Sequence, residues 1–444
     1  MFIVSLTWVF VSFFPNEKES SPQINQTRVW LNESCPVEEW NLKSTDSFPF
    51  LDQYQKWAAQ RLTGLGAFGG GQLRLISAFS YKEYIVVTTS SQDILFLGKP
   101  IFCRYYDCNR QELPQSSFQS FFFPLTAVHC ARRANATYIS LSFGASEPAP
   151  DAIPLLKRVF SKYPHEIGVC VGQIYGREHK WLQIIEFVEH HLLIGASIFY
   201  FTIFEMDGYT KKVIEDYQRL GLAEASFVNT EYSTINIFFQ QIQLNECFFR
   251  SKFHSKWVIN VDIDERLTIL SESPDFALSN YLRNLPPNVC ELIFGNRRVV
   301  KLEEGPETYQ NEEELLRDME FLRYNNTTEF HWVAPKIVFN PDRVHAIYMH
   351  WTWRQLPECR VVSIPVSFGY IRHYRFLNTI GPGRNWLWKY NLSSHFPLDP
   401  VFAEKLKLAV VKKVKYLYEL KPIPCQKMDP FILKCYGNDA LKCV

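Results

Sequence analysis

From about residue 165 the sequence alternates between short apolar runs and longer amphipathic runs, and this alternation constrains the fold more than any other feature. The run EIGVCVGQIYG is typical of a buried strand, and in REHKWLQIIEFVEHHLLIG apolar residues recur at helical spacing from Trp181 to Leu192, before a helix-ending Gly195. SIFYFTIFE, TKKVIEDYQRLG and AEASFVN then continue as strand, helix and strand. Such alternation predicts right-handed βαβ units, and so an α/β domain with a mostly parallel sheet covered by helices on both faces.

A different pattern precedes the alternating region. LRLISAFSY, EYIVVTTS, DILFLG and IFCRYY are short β-branched or aromatic runs separated by Gly, Pro, Ser and Asp, which predicts a small β-rich region. SEPAPDAIPLL, from Ser146 to Leu156, is the best candidate linker. We therefore predict four parts: an apolar N-terminal segment and stalk (1–60), a β-rich region (61–150), an α/β domain (151–400), and a C-terminal helix with a cysteine-containing tail (401–444).

The N-terminal segment MFIVSLTWVFVSFF carries no charge and is followed by the polar PNEKESSPQ. A spanning helix needs roughly 17–25 apolar residues, and a signal peptide usually begins with basic residues. We expect a signal-anchor, with a cleaved signal peptide as the second interpretation and a simple apolar tail as the third. Entry into the secretory pathway is supported by six N-x-S/T acceptor sites: Asn25, Asn32, Asn135, Asn325, Asn326 and Asn391.

The eleven cysteines fit the same oxidising compartment, because none of them forms the C-x-x-C pair of a zinc or redox site. Cys103 and Cys108 are spaced to close a small loop, and Cys425, Cys435 and Cys443 crowd the C-terminal tail. Disulfides are therefore expected, but the spacing leaves their pairing open. The odd number implies at least one free thiol or an intermolecular bond.

Charge and motifs exclude several classes of function. With 47 basic and 46 acidic residues the net charge is +1, so charge gives no reason to expect a nucleic-acid partner. The sequence contains no P-loop, GxGxxG, GxSxG or HExxH string. Nucleoside triphosphatase, dehydrogenase, serine hydrolase and zincin interpretations therefore lack their motifs.

One apolar strand, KWVINVDIDERL, ends in a cluster of acids. Ligands of an open parallel sheet bind beyond the carboxyl ends of its strands, and Asp262 and Asp264 follow Val261, the last apolar residue. If the chain stays extended there, both aspartates point to one side and Ile263 turns into the core. Two hard oxygen ligands suit Mg²⁺ or Mn²⁺, cations that also bind phosphate oxygens. The pattern favours a metal–diphosphate site over a solvated turn of acids.

With these aspartates in place, the chain resembles glycosyltransferase family 92, whose members have a Rossmann-like fold of the GT-A type. The matching blocks run in order from about Leu73 to Arg375, beginning with ISAFSY and CRYYD and continuing with WLQIIEFVEHHLLIGASIFYFTI, VIEDYQRLGLAE, QLNECFFRSKFHSKWVINVDIDE, KIVFNPDRVHAIYMH and IRHYR. The resemblance implies a type II Golgi membrane enzyme with a luminal catalytic domain. It also implies inverting transfer of galactose from UDP-galactose to a glycan.

The resemblance further implies roles for individual residues. Asp262 and Asp264 would hold the metal and the nucleotide sugar with Glu265 beside them, and His350, His373 and Arg375 would complete the donor site. A neutral imidazole suits Mn²⁺ as a third ligand, and a guanidinium offsets the charge of departing UDP. The sequence departs from the family pattern in its short N-terminal apolar segment, and in an arginine after the acids where an apolar or aromatic residue is expected.

Three further residues or groups have competing interpretations. Of the two histidines in HAIYMH, His345 and His350, one is expected to be a packed core residue, and His350 is the better candidate for function. Trp181 is expected to be a core residue of its helix rather than a residue that stacks on uracil. For the general base that inversion requires, we favour Asp318, although ETYQNEEELLRDME is mostly typical of a charged solvated helix; the other candidates are Glu303, Glu304 and Glu320.

We therefore predict a metal-dependent inverting glycosyltransferase, with Mn²⁺ or Mg²⁺ as cofactor, that transfers galactose from UDP-galactose to a glycan acceptor. We expect it in the Golgi membrane as a single-pass type II protein, with a secreted protein as the alternative. Two other functions stay open. One is a glycoside hydrolase that uses Asp262 and Asp264 as a carboxylate pair about 5 Å apart. The other is a catalytically silent glycan-binding homologue.

Overall fold

A computed structural model describes residues 35–36, 38–61, 73–90, 100–228, 237–270, 277–376 and 392–419. Residues from 38 onward belong to one compact unit. Several predictions lie outside the described residues: the N-terminal apolar segment, the acceptor sites Asn25, Asn32 and Asn391, the DILFLG strand, and the three cysteines of the C-terminal tail.

Helices form where the apolar residues recur at helical spacing and polar caps are present. Asp207 caps α3 by accepting a hydrogen bond from the backbone N–H of Thr210, and Asp399 caps α8 in the same way. Gly195 and Gly221, which follow α2 and α3, adopt the left-handed conformation predicted for helix ends. The helices are α1 (Leu51–Arg61), α2 (Trp181–Leu193), α3 (Gly208–Arg219), α4 (Ile237–Ser251), α5 (Ala277–Arg283), α6 (Glu312–Asp318), α7 (Glu320–Arg323) and α8 (Pro400–Tyr418).

The predicted β-rich region forms a seven-stranded sheet with the order β4-β3-β6-β7-β1-β2-β5. The last of these strands along the chain, β7, falls within the segment predicted to be a linker. It pairs with β6 and, in parallel, with β1. The linker prediction is therefore wrong for this part of the segment. The strands are β1 (Leu75–Ser80), β2 (Tyr84–Thr89), β3 (Ile101–Tyr106), β4 (Phe118–Ser120), β5 (Ala127–Ala131), β6 (Tyr138–Ser142) and β7 (Ile153–Lys157).

The second sheet holds eleven described strands, and its main order is β10-β9-β8-β11-β15-β13-β14-β20. The first four of these are mutually parallel, whereas β15 runs antiparallel to β11. Off this path, β19 pairs in parallel with β13 and antiparallel with β12. The strands are β8 (His165–Val171), β9 (Ile198–Ile203), β10 (Ala223–Phe227), β11 (Ser255–Val261), β12 (Glu265–Ile269), β13 (Val289–Lys301), β14 (Asn326–Thr328), β15 (His331–Phe339), β18 (Arg360–Ser363), β19 (Gly369–Phe376) and β20 (Leu392–His395).

Both faces of the parallel strands are buried, as their continuous apolar character predicts. On one face Trp257 and Ile259 of β11 share a core with α2, α3 and α8. On the other, Val258 packs with residues of α4 and with Phe79 of the seven-stranded sheet. A separate two-stranded ribbon, β16 (Val344–Ile347) and β17 (Thr352–Gln355), contacts α4. The predicted α/β fold, with helices on both faces of the parallel strands and a small β-rich region before it, is confirmed.

A buried ionic network joins α4 to both sheets. Glu246, which is fully buried, accepts hydrogen bonds from Ser77 of β1 (2.7 Å), Ser226 of β10 (2.6 Å) and Arg250 one turn further along α4 (2.7 Å). Arg250 also pairs with Glu224 at 2.9 Å. Because each charge in this low-dielectric position has a partner, the network tolerates burial that an isolated charge would not.

Removing the Glu246 carboxylate is expected to destabilise the fold strongly. Glu246→Ala leaves Arg250 partly uncompensated in the interior, so we expect the free energy of unfolding to fall by roughly 3–5 kcal/mol. Urea denaturation followed by circular dichroism measures this difference. The control is Glu215→Ala, which removes an exposed partner of Lys211 on α3 and should cost less than about 1 kcal/mol. Equal effects of the two substitutions would contradict the role of the network.

Disulfides join several elements of the described ranges. Cys103 pairs with Cys130, Cys170 of β8 with Cys247 of α4, and Cys290 of β13 with Cys359. Cys108 is disulfide-bonded as well, so the small loop between Cys103 and Cys108 does not form and that suggestion is wrong. Of the helices in the described ranges, none combines the length and apolar character that crossing a membrane requires.

Candidate active site

A cavity of about 610 Å³ opens at the carboxyl ends of β8 and β11. This is the edge at which ligands of open α/β sheets bind. The cavity receives residues from the segment after β8, the turn after β11, the end of β19 and the segments around α6. Its lining includes six of the residues discussed below: Tyr175, Asp262, Asp264, Asp318, His373 and Arg375.

Asp262 follows β11 directly and lies against the end of β8. A Cβ atom added to Gly172 would come within 2.1 Å of Asp262 Oδ1. Only glycine at that position leaves room for the carboxylate, because the two strands pair in register up to Val171 and Val261. Gly172, directly after the neighbouring strand, therefore leaves space for the Asp262 side chain.

The chain turns between β11 and β12 instead of staying extended. The backbone N–H of Glu265 donates to the carbonyl of Asp262 at 2.9 Å, which closes a tight turn. The predicted extended conformation of residues 262–264 is therefore wrong. Both side chains nonetheless line the cavity, and Ile263 packs against the core as expected.

Lys336 of β15 provides a positive charge that the sequence analysis missed. Its ammonium lies 2.6 Å from Asp262 Oδ2 and 3.0 Å from Glu265 Oε2, and its side chain is buried. Although burial alone would lower it, these two carboxylates raise the pKa of Lys336 above its ordinary value. The signal available in the sequence was a lysine at the start of the apolar run KIVF, where a buried charge needs a partner.

Asp264 is held from the opposite side by β19. His373 Nε2 lies 3.2 Å from Asp264 Oδ2, and the backbone N–H of Tyr374 donates to the Asp264 carbonyl at 2.8 Å. Burial opposes ionisation, but His373, Arg375 and Lys336 hold the pKa of the Asp264 carboxyl well below its ordinary value. The carboxylate is therefore charged at neutral pH and faces the cavity.

Glu265 lies behind the two aspartates and does not line the cavity. Its Oε2 accepts the backbone N–H of Asp262 at 2.8 Å, and its Oε1 lies 3.3 Å from His373 Nδ1. Burial, with Asp262 nearby, raises the pKa of Glu265, while Lys336 and His373 oppose that shift. The geometry assigns Glu265 to positioning Lys336, His373 and the turn, and its predicted contact with the nucleotide sugar stays a prediction.

Arg375 lines the cavity two residues beyond His373, and its Nε has no hydrogen-bond partner within the described part of the chain. His350 lies apart from the cavity lining, with its Nδ1 2.9 Å from the carbonyl of Pro335. Because a carbonyl only accepts, Nδ1 carries the proton and the lone pair stays on Nε2. His345 is buried and hydrogen-bonded to the hydroxyl of Tyr54 at 2.9 Å, which is the environment expected of a core histidine.

Asp318 ends α6 and faces the cavity, although it also lies 3.4 Å from the guanidinium of Arg317. Glu320 lines the same wall but forms a buried ion pair with Lys301. Glu304 lines the cavity, whereas Glu303 pairs with Arg323 outside it. Asp318 and Glu304 both line the cavity without an ion pair to a buried lysine, and the choice of Asp318 as the base stays a prediction.

Behind this wall Glu186 of α2 is buried, and its Oε1 accepts the backbone N–H of Glu320 at 2.9 Å. Burial, with the Glu320 carboxylate nearby, raises the pKa of Glu186 from 4.5 to about 8. The unfolded chain releases this proton near the lower value, whereas the folded chain keeps it up to the higher one. The contribution of Glu186 to stability therefore falls as the pH rises between these two values.

Replacing Glu186 with glutamine should remove this pH dependence. Glu186→Gln carries an amide where the folded wild type carries a protonated carboxyl, so we expect equal unfolding temperatures near pH 4.5 and a more stable variant above about pH 8. Thermal unfolding of both proteins across this range measures the difference. A difference in unfolding temperature between the two proteins that is the same at every pH would contradict the raised pKa of Glu186.

Two aromatic residues near the cavity have different roles. Trp181 is buried and donates from Nε1 to the carbonyl of Pro306 at 2.8 Å, so it is a core residue of α2, as the sequence analysis preferred. Tyr175, in the segment after β8, is 43% exposed and lines the cavity. The sequence analysis missed Tyr175, because a tyrosine after a strand carries no signal until the cavity is known.

The donor set fits a divalent cation that shares its coordination with a ligand. Among the residues in the described ranges, no group of three or more His, Cys, Asp and Glu side chains is arranged to hold a metal. Asp262 and Asp264 nevertheless offer carboxylate oxygens to the cavity, with side chains 36% and 29% exposed. Mg²⁺-type sites commonly use one or two carboxylates and complete their shell with water and substrate phosphates.

Comparison with known families assigns the chain to one family. The model of glycosyltransferase family 92 matches residues 165–403, more than half of the sequence. The chain belongs to glycosyltransferase family 92, which confirms the family predicted from the sequence. No curated protein matches the chain.

Some solved structures share a distant likeness. TarS from S. aureus in complex with UDP-GlcNAc has a TM-score of 0.25 and 10% identity over 49% of this chain, and this chain spans 60% of the TarS chain. A mycobacterial protein has a TM-score of 0.23 and 11% identity, covering 58% of this chain and 76% of its own. Likenesses of this size determine neither the fold nor the ligand of this chain.

Proposed function

We propose that this protein is an inverting galactosyltransferase that uses UDP-galactose, with Mn²⁺ or Mg²⁺ held by Asp262 and Asp264, to extend a glycan. The observation that carries the proposal is the pair of aspartates at the mouth of the cavity, each held by a cationic or imidazole partner. A nucleotide-sugar diphosphate needs this combination of acids for a cation and bases for phosphate oxygens.

The described residues supply the steps of an inverting displacement. The Asp318 carboxylate takes the proton of an acceptor hydroxyl as its oxygen forms a bond to the anomeric carbon. The bond from that carbon to the phosphate oxygen breaks on the opposite side, and UDP leaves with the electron pair. Arg375 and His373, on the same wall of the cavity, stabilise the charge that grows on the departing diphosphate. A bound divalent cation would supply further stabilisation of that charge.

Tyr175 is suited to the uracil end of the donor. Its ring is partly exposed within the cavity, in the segment that follows β8. A base stacked on an aromatic ring gains roughly 1–3 kcal/mol. With uracil on Tyr175, the diphosphate would extend towards Asp262 and Asp264, which line the same cavity.

We further infer that the protein works in the lumen of the secretory pathway, as a Golgi membrane protein. Disulfides that join β8 to α4, and β13 to the chain near β18, are formed and kept in an oxidising compartment. Asn135, one of the predicted glycosylation sites, is exposed. Family membership favours sugar transfer over the glycoside hydrolase alternative.

A donor screen tests the proposed function. The purified chain is incubated with UDP-galactose, UDP-glucose, UDP-N-acetylglucosamine or GDP-mannose, with and without Mn²⁺, and nucleotide release is measured. We expect release from UDP-galactose that depends on the cation. Release from a different donor would overturn the sugar assignment. Release that is the same with Mn²⁺, without it and after addition of a chelator would overturn the metal dependence. If no donor is bound or hydrolysed, the silent homologue is favoured.

A further inference from the structure

Two tryptophans are exposed near the candidate active site. Trp332 is 46% and Trp351 is 48% exposed, whereas the other five tryptophans of the described ranges are buried or half-buried. An indole covers a large apolar area when it is buried, so leaving two of them in water forgoes stability that a core position would provide. Tryptophans are enriched among the residues that anchor partners at protein surfaces, so both are candidates for contact with a ligand.

Trp332 is held in place rather than left free on a loop. The ring of Phe330 contacts it edge-to-face, with 5.2 Å between ring centroids, and Phe330 itself lies over Gly295, where a Cβ would come within 2.4 Å of the ring. Just beyond, Ala334 has a positive φ of 54°. The buried amide of Asn296 stabilises this irregular part of β15 by donating to the carbonyls of Val333 (2.7 Å) and Ala334 (3.2 Å).

Trp351 is held at the turn between β16 and β17. Its carbonyl accepts the backbone N–H of Tyr348 at 2.8 Å. The side-chain amide of Asn260 donates to the carbonyl of Met349 at 3.4 Å, which ties the turn to β11. His350 donates to the carbonyl of Pro335, which ties the same turn to β15. The indole is therefore presented by a turn with three anchoring contacts.

These anchors, with the antiparallel register of β11 and β15, place both tryptophans at the carboxyl end of β11, the end at which the acid pair lies. Pro335 directly precedes Lys336, whose ammonium contacts Asp262, and Asn260 lies two residues before Asp262 on β11. Neither tryptophan lines the cavity that holds Arg375 and His373. The charged cavity suits the diphosphate of the donor. The uncharged aromatic surface outside that cavity is therefore available for the second substrate.

We propose that Trp332 and Trp351 form an acceptor subsite, on which the apolar C–H face of a pyranose ring of the glycan packs against an indole. This inference rests on the proposed function, because it identifies where the second substrate of the same reaction binds. A neutral carbohydrate matches the surface chemically, since aromatic rings bury its C–H face while its hydroxyls stay hydrated. Rigid aromatic anchors also bind with little loss of side-chain freedom.

Sugar binding to single variants tests the subsite. The probes are methyl β-galactoside, methyl β-glucoside and methyl β-N-acetylglucosaminide, titrated against tryptophan fluorescence and observed by saturation-transfer NMR. We expect at least one probe to bind the wild type, and Trp332→Ala or Trp351→Ala to weaken it about tenfold, equivalent to roughly 1.4 kcal/mol. Trp332→Phe should recover part of the affinity. The matched control is Tyr416→Ala, which removes an exposed ring of α8 and should bind the probe as the wild type does.

The same samples separate this inference from the proposed function. UDP binding measured by calorimetry reports on the cavity, so a wild type that binds a methyl glycoside but not UDP would refute the donor assignment and keep the subsite. A wild type that binds none of the three probes would overturn the subsite, as would alanine variants that bind like the wild type. Sedimentation completes the test: a dimer that both alanine variants convert to monomers would mean that a second copy covers the tryptophans, which also overturns the inference.

Discussion

Asp264→Asn is expected to lower sugar transfer by about 100-fold or more while the chain stays folded. The amide keeps the shape of the side chain and its position next to His373, but it removes the charge that a divalent cation or a developing positive centre requires. The loss should appear in kcat, because the charge matters most as UDP departs. Nucleotide release from the donor identified in the screen measures the effect, with thermal unfolding as the check on folding.

A matched control for this variant is Asp151→Asn, which changes an exposed aspartate in the segment that precedes β7. It should leave turnover and unfolding temperature unchanged. Near-normal turnover by Asp264→Asn would refute the role of the acid pair. A variant that loses activity only because it unfolds would appear as a large drop in unfolding temperature, and Asp264→Glu then serves as the test of charge without loss of the carboxylate.

Lys336→Met is expected to reduce both stability and activity. Methionine keeps most of the buried volume but removes the cation shared by Asp262 and Glu265. The buried Glu265 carboxylate then keeps the imidazole of His373 and the backbone N–H of Asp262 but no lysine. Breaking one side of a buried ion pair costs roughly 3–5 kcal/mol. Turnover should fall because Asp262 loses the contact that fixes its position. Denaturant unfolding and the nucleotide-release assay measure the two effects.

The double variant Lys336→Met/Glu265→Gln separates the two effects. It removes both buried charges, so part of the lost stability should return, whereas turnover should stay low because Asp262 is still unfixed. The decisive quantity is the non-additivity of the two substitutions in the free energy of unfolding. If turnover returned together with stability, Lys336 would be only a structural partner of Glu265 and would have no role in placing Asp262.

The sequence analysis succeeded where the signal was local. Continuous apolar runs with helical spacing between them predicted the β8-to-β11 region, and the glycines after α2 and α3 marked helix ends that the structure confirms. Predictions were wrong where the assumed local backbone conformation was wrong. Asp262 and Asp264 lie on a tight turn, not on an extended strand, and the segment after Ser146 contains β7 instead of a simple linker.

The sequence by itself determined that two aspartates end a buried strand of an α/β sheet, because strand and helix periodicity depend on neighbours within a few residues. Only the tertiary structure decided which partners they have. Lys336 lies 74 residues from Asp262, and His373 lies 109 residues from Asp264. Such contacts depend on the order and direction of strands brought together by folding, which no local pattern encodes. The exposed tryptophans became a candidate subsite for the same reason: they come to the same end of β11 as the acids only once β11, β15 and the β16–β17 turn have packed together.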